Sequence, residues 1–305
     1  MKKITIWLIA SLLSAGALHA QQHRFDPPWN VPPAAGVSFT VPGIDNIPDL
    51  YGDIIDPQLV IFFAGNQFMV IDSLITDFKK YYPQYKRVFA ETLPPGILAQ
   101  QILTGSLVTG NLRIDIRPDI YTAGKNRIDQ LRDSFSVVKN YAGNTLAIMV
   151  QQHNPKQVKG LADLGRSDVR TSMPNPAWEG IGKRIIEAWE KTGGTALTQT
   201  IMADKIQKGT TYLTKIHHRE TPLRILYDQA DAGPVWYTEV YYQQMIGHPV
   251  AMVTIPPAEN IRASYWAGIL KSAPHPQAAK DFMTFLMSTR GQRIYAHFGF
   301  TPPEL

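Results

Sequence analysis

The chain has 305 residues, 44% of them hydrophobic, enough for one large domain or two modest ones and too apolar for a disordered or fibrous chain. It contains no cysteine, which excludes a disulfide framework, a thiolate zinc site, an iron–sulfur cluster, a cysteine nucleophile and an N-terminal lipoprotein anchor. The net charge of +5 falls to +3 once Lys2 and Lys3 are set aside, a surplus too small and too dispersed for a nucleic-acid-binding face.

Residues 1–20 have the three parts of a secretory signal peptide: Lys2 and Lys3, the apolar run 4–13, and small residues at Ala15, Gly16, Ala17 and Ala20. The run is short for the roughly 30 Å of a bilayer's hydrocarbon, and no later stretch approaches about 18 uninterrupted apolar residues. Export, cleavage after Ala20 and a soluble periplasmic protein are expected. Residues 21–57 then carry Pro27, Pro28, Pro32, Pro33, Pro42, Pro48 and Pro57. Proline removes donors and fixes φ, so this stretch reads as an extended N-terminal arm, either wrapped over the body through Phe25, Trp29, Phe39 and Tyr51 or left as a tail.

Regular structure starts at Gln58. The run Leu59-Val60-Ile61-Phe62-Phe63 has strand length and is stopped by Ala64-Gly65-Asn66; Met69, Ile71, Leu74, Ile75 and Phe78 follow at helical spacing. Unbroken apolarity predicts a strand covered on both faces. The pattern recurs with a strand over 85–90, a helix over 97–103 and a strand over 119–124, so β and α alternate as in a parallel α/β sheet. A second series begins with the apolar run 145–150, continues through Val169-Arg170-Thr171-Ser172, and reaches a helix over 179–191. Residues 233–242 are rich in aromatics, 250–255 read as a strand, and 275–288 and 292–298 as closing helices.

In an open α/β sheet, ligands sit beyond the carboxyl ends of the strands, where loops lead into helix N-termini with unpaired N–H groups. The turns to watch are Asn66 and Gln67 after the first strand, Thr92 to Gly96 after the second, Thr122 at the end of the third, and Asn175 with Trp178 before the long helix. Each has an ordinary structural role open to it: an N-cap for Asn66, a rigid Pro-Gly turn for Gly96, a strand exit for Thr122 and core packing for Trp236 or Tyr237. A metal site is not expected, since His217-His218 is the one histidine pair and neighbours on a helix point apart. Neither a Gly-x-Ser-x-Gly turn nor a glycine-rich phosphate loop is present, so neither an enzyme nor a bound cofactor is expected.

Taken in order, residues 59–80, Leu98-Ala99-Gln100-Gln101-Ile102, Pro118-Asp119-Ile120-Tyr121 and Asn144-Thr145-Leu146-Ala147-Ile148-Met149-Val150 resemble the type 2 periplasmic solute-binding proteins, and among them the molybdate/tungstate-binding branch. Met173-Pro174-Asn175-Pro176, residues 230–239 and the ending at 282–303 extend the resemblance over 58–303. It implies an α/β, two-lobed type 2 periplasmic-binding-protein fold with two crossover strands and a cleft between lobes that close by hinge bending. Lobe 1 would comprise 58–143 plus 252–305, and lobe 2 would comprise 144–251. It also implies capture of a small ligand for an ABC permease in the inner membrane, or for a membrane sensor, by a monomer that binds no nucleic acid.

The residues that the resemblance brings to the cleft are Asn66, Gln67, Thr92, Gly96, Thr122, Asn175, Trp178, Trp236 and Tyr237. Asn66 aligns with a serine of the oxyanion binders, Gly96 falls near their second serine-bearing loop, and Trp236 aligns with a tyrosine that donates to the oxyanion. The hydroxyl donors are thus largely replaced by Asn, Gln and Trp, while Glu91 and Glu179 lie near two of the loops. Molybdate or tungstate and a small organic acid or polar solute, stacked on Trp178 and Trp236, both stay open.

Overall fold

The computed structural model describes residues 37–39, 49–109, 111–177, 179–215 and 220–303. The expected signal peptide, Phe25, Trp29, Trp178 and the His217-His218 pair lie outside them. Two strands fall within the proline-rich stretch: β1 (Val37–Phe39) and β2 (Leu50–Gly52), paired antiparallel. Then come β3 (Leu59–Phe62), a 3-10 turn (Gly65–Val70) and helix α1 (Ile71–Tyr81). β4 (Val88–Glu91), α2 (Pro95–Thr104), the hairpin of β5 (Leu107–Thr109) and β6 (Leu112–Ile114), β7 (Ile120–Gly124) and α3 (Lys125–Gln130) follow.

β8 (Phe135–Gln151) runs for 17 residues and leads to β9 (Thr171–Met173), α4 (Gly180–Gln199), α5 (Lys205–Gln207) and β10 (Thr211–Leu213). The chain continues through α6 (Glu220–Leu226), β11 (Ala232–Trp236), α7 (Tyr237–Met245), β12 (Val250–Thr254) and β13 (Arg262–Leu270). It closes with α8 (Pro276–Met287) and α9 (Thr289–His297).

Among the described residues eleven strands form one sheet in the order β1-β2-β4-β3-β7-β13-β8-β11-β9-β10, with β12 also on β8. β3 is parallel to β4 and β7, and β9 is parallel to β10 and β11. β8 and β13 pair antiparallel between these two parallel sets, so the expected α/β architecture holds with β8 and β13 as the passage from one set to the other.

Alternation along each strand explains why the runs are apolar throughout. Leu59, Ile61 and Phe63 face one cluster with Leu74, Phe78 and Phe282, whereas Val60 and Phe62 face another with Leu98, Tyr121 and Phe135. In the second set Leu146, Ile148 and Val150 pack with Ile185 and Trp189 of α4, and Ala147 and Met149 pack with Ile225 and Val240 on the other face. The buried face of α1 is Ile71, Leu74, Ile75 and Phe78, each worth about 1.5–3 kcal/mol when withdrawn from water.

Proline does not keep the whole of 21–57 out of the sheet. No proline lies between Pro48 and Pro57, and there Leu50 and Tyr51 are buried as β2 pairs with β4. Gly52 is required at its end: φ is +86°, and a Cβ there would lie 2.0 Å from the Val88 carbonyl oxygen. The strand expected over 85–90 starts only at Val88, because Tyr85 turns away to stack on Phe78 at 5.6 Å and donate to Asp281 at 2.6 Å. Ile255 and Ile261 join the cluster beneath α4 and Tyr265 joins the one beneath α1, so the return to the first half-sheet falls between Ile261 and Tyr265. Among the described residues no helix is long and apolar enough to cross a membrane.

Candidate functional site

The carboxyl ends of both parallel sets arrive at the same place on the crossover strands. Gly124, the last residue of β7, lies opposite Tyr265 of β13, and Tyr265 lies opposite Ala142 of β8. From the other half-sheet Trp236, the last residue of β11, lies opposite Leu146 of β8. Strand ends that deliver helix starts from two directions therefore meet along residues 142–146.

A hydrogen-bonded chain of uncharged side chains crosses this junction. Asn66, buried in the 3-10 turn that follows β3, donates from Nδ2 to the hydroxyl of Tyr265. Asn144 Nδ2 donates to the same hydroxyl at 3.4 Å and to Thr238 Oγ1, in the first turn of α7, at 3.0 Å. One helix start in each half-sheet is thus linked through β8 and β13. Burial, reinforced by Tyr141 and Glu239 and opposed by the two amide donors, holds the Tyr265 phenol well above its usual range, so it stays protonated as a donor.

Gln67 and Thr122 meet beside this chain but serve each other. Gln67 Nε2 donates to Thr122 Oγ1 at 3.1 Å, and its Oε1 accepts from Tyr141 at 2.6 Å and Tyr295 at 2.8 Å. Thr122 Oγ1 also accepts the Ala64 N–H at 3.2 Å. These bonds pin the turn after β3 to β7 and α9.

Trp236 is buried, lies edge-on to Tyr265 with ring centroids 6.3 Å apart, and its indole N–H has no acceptor among the described residues. Its backbone N–H is taken at 3.1 Å by Glu239, which caps α7. Tyr237 is not gathered with it. The strand ends between them, and Tyr237 turns to the opposite layer, stacking on Tyr241 at 5.7 Å.

On the first half-sheet Thr92 is buried, with its N–H on the Asp49 carbonyl at 2.8 Å. Gly96 is exposed in the first turn of α2 and lines a surface depression with Ile97, Gln100 and Gln101. On the second, the Asn175 N–H is already bonded to Glu179 Oε1 at 3.1 Å and to Thr214 Oγ1 at 3.0 Å, and Thr214 itself donates to Glu179. Asn175 Oδ1 accepts the Ala177 N–H at 3.0 Å.

The two carboxyls near the loops are turned inward on the protein. Glu91 is fully buried beneath α2 with Gln101 Nε2 donating to its Oε1 at 3.0 Å, and burial raises its carboxyl to about 8 while that amide pulls weakly the other way. It is therefore neutral over most of the physiological range. Among the described residues no three His, Asp or Glu side chains gather as a metal site.

Sequence reasoning missed Asn144 and Tyr265. Asn144 was quotable as the head of an apolar run, but nothing adjacent marks Tyr265, whose partner Asn66 is 199 positions away.

A sequence profile of the bacterial extracellular solute-binding proteins matches residues 59–301. The molybdate-binding protein ModA of Mycobacterium tuberculosis strain H37Rv is 26% identical over 165 residues, 54% of this chain and 56% of that protein, so the chain spans just over half the length of the curated relatives it matches. Among solved structures, the periplasmic molybdate-binding protein of Azotobacter vinelandii superposes with a TM-score of 0.65 at 17% identity, over 81% of this chain and 100% of that one. The sulfate-binding protein SubI of Mycobacterium tuberculosis H37Rv gives 0.65 at 18% identity, over 80% and 86% of the two chains. These structural likenesses establish the shared fold; with the profile and the ModA match they bear out the resemblance to type 2 periplasmic solute-binding proteins, with molybdate binders among its relatives. Strand ends meeting at paired crossover strands, together with a profile match over most of its length, make this chain a member of the bacterial extracellular solute-binding protein family.

Proposed function

We propose that this protein captures a small oxyanion, of which molybdate and tungstate are the leading candidates, at the junction of its two half-sheets outside the inner membrane, and passes it to an ABC permease. One observation carries the reading: the donors assembled where the strand ends meet outnumber the protein acceptors available to them, and none is charged. Asn66, Tyr265 and Trp236 supply amide, phenol and indole protons. A dehydrated oxyanion needs most of its oxygens hydrogen-bonded, and preorganised neutral donors meet that need without a cation. Neutral Glu91 removes one of the two carboxylates that would oppose it. The groups gathered here include no nucleophile paired with a base, which supports binding over catalysis. The signal peptide at 1–20 and a monomeric state belong to the same reading.

A second reading, a small organic acid or other polar solute, is favoured by Glu179. Its carboxylate accepts the Asn175 N–H, so the second half-sheet offers fewer donors and a nearby negative charge. A thermal-shift screen over molybdate, tungstate, sulfate, phosphate and small carboxylates separates the two. The true ligand stabilises the protein by roughly 2.7 kcal/mol at one hundred times its dissociation constant. A shift with a tetrahedral oxyanion supports the first reading; no shift with any oxyanion removes it.

A further inference from the structure

Tyr265 stands near the middle of β13, one of the two strands that pass between the half-sheets. Its ring is enclosed by Trp236, Tyr141 and Phe300, with centroids at 6.3, 6.5 and 5.7 Å. A ring packed on three sides keeps one orientation, so its hydroxyl points in a fixed direction. The Asn144 amide beside it is also fixed, because Oδ1 accepts the Thr145 N–H at 2.9 Å while Nδ2 donates to Thr238.

The protons here do not balance within the protein. With Asn66 donating to Tyr265, the phenol proton and the second amide proton of Asn66 have no acceptor among the described residues. Reversing the Asn66 amide lets Tyr265 donate to its oxygen but frees both amide protons instead. Two donors are left over in either arrangement. Asn66 is 5% exposed and Tyr265 is 4% exposed, and donors so buried are costly to leave unpaired.

We propose that Tyr265 is a ligand-contacting residue, its hydroxyl and the Asn66 amide together presenting two uncharged donors to a ligand group that only accepts, such as a fully ionised oxyanion; this rests on the oxyanion reading above. Because Asn144 ties the Tyr265 oxygen to Thr238, the contact also couples ligand capture to the start of α7 in the second half-sheet.

The test compares Tyr265→Phe with Tyr85→Phe by calorimetric titration with sodium molybdate and sodium sulfate, alongside thermal melting. Tyr85 is half-buried and its hydroxyl is spent on Asp281 at 2.6 Å. Y265F should weaken binding by about ten- to a hundred-fold, the loss of a hydrogen bond to a charged partner, whereas Y85F should lower the melting temperature and keep the affinity within about two-fold. Affinity unchanged in Y265F, or lost equally in both variants, overturns the contact while leaving the oxyanion reading in place. If the wild-type protein binds neither of these salts nor tungstate or phosphate, that reading falls and this one with it. Should Y265F fail to fold, wild-type protein carrying carbon-13 at tyrosine Cζ gives the answer. Sulfate should shift one buried tyrosine resonance, and no tyrosine shift overturns the proposal.

Discussion

Glu91→Gln isolates a single buried carboxyl and sets a sign as well as a size. Glu91 is buried at the end of β4, and its raised value of about 8 compares with 4.5 for a free glutamate side chain. Between those two values the unfolded chain releases the proton while the folded one keeps it. Stability therefore falls as pH rises, by about 1.4 kcal/mol for each pH step, and levels off above the folded value. At pH 7 the accumulated loss is about 3 kcal/mol, and above pH 8 it reaches about 5 kcal/mol. Below the unfolded value the full stability is present.

Glutamine matches glutamate in shape and keeps the pairing with Gln101, but cannot ionise. Urea unfolding of both proteins at pH 5.5, 6.5 and 7.5 should show the difference between variant and parent moving in the variant's favour by about 1 kcal/mol per step, with the variant the more stable at the highest pH. Other titrating groups contribute equally to both proteins and cancel in that difference. Parallel stability profiles would mean that Glu91 ionises normally in the fold, and a second buried negative charge near the loops would again stand against a dianionic ligand.

Two further substitutions probe the site from its other edges. Trp236→Phe keeps a ring against Tyr265 but removes the indole proton, so titration with the ligand found by thermal shift should show affinity reduced about ten-fold with stability within about 1 kcal/mol; unchanged affinity with a lower melting temperature would make Trp236 a packing residue only. Gly182→Ala, in the first turn of α4, would place a Cβ 2.6 Å from the Pro174 carbonyl oxygen and 2.7 Å from Pro176 N. That contact is with backbone, so the loop bearing Asn175 must move. Despite alanine's better helix propensity the variant should lose about 1–3 kcal/mol in urea unfolding, and a variant as stable as the parent refutes the close packing.

The parts of the fold that were legible are those whose signal lies within a few residues. The run at 59–63 announced β3 because a strand covered on both faces must be apolar at every position, and the Gly65-Asn66 turn announced a strand end leading into a helix. The signal of β13 is weaker. Arg262, Ala263 and Ser264 open it before the apolar stretch 265–270, which Gly268 interrupts, and its place is fixed by pairing with β7 and β8. The first half of β8 was hidden for the same reason, since Ser136, Val137 and Lys139 face solvent.

The same division runs through the site. The location of Asn66 and Trp236 follows from strand ends, which local pattern gives, but whether an amide is free to meet a ligand depends on residues far along the chain. Gln67 and Asn66 are neighbours in one turn, alike in chemistry and in burial. Gln67 is consumed by Thr122, Tyr141 and Tyr295, which lie 55, 74 and 228 positions away. Among the described residues the Asn66 amide meets only Tyr265, whose oxygen cannot absorb both of its protons. On the proposed reading, adjacent positions divide between holding the turn in place and facing the solute, and the proton count at Tyr265 is what separates them.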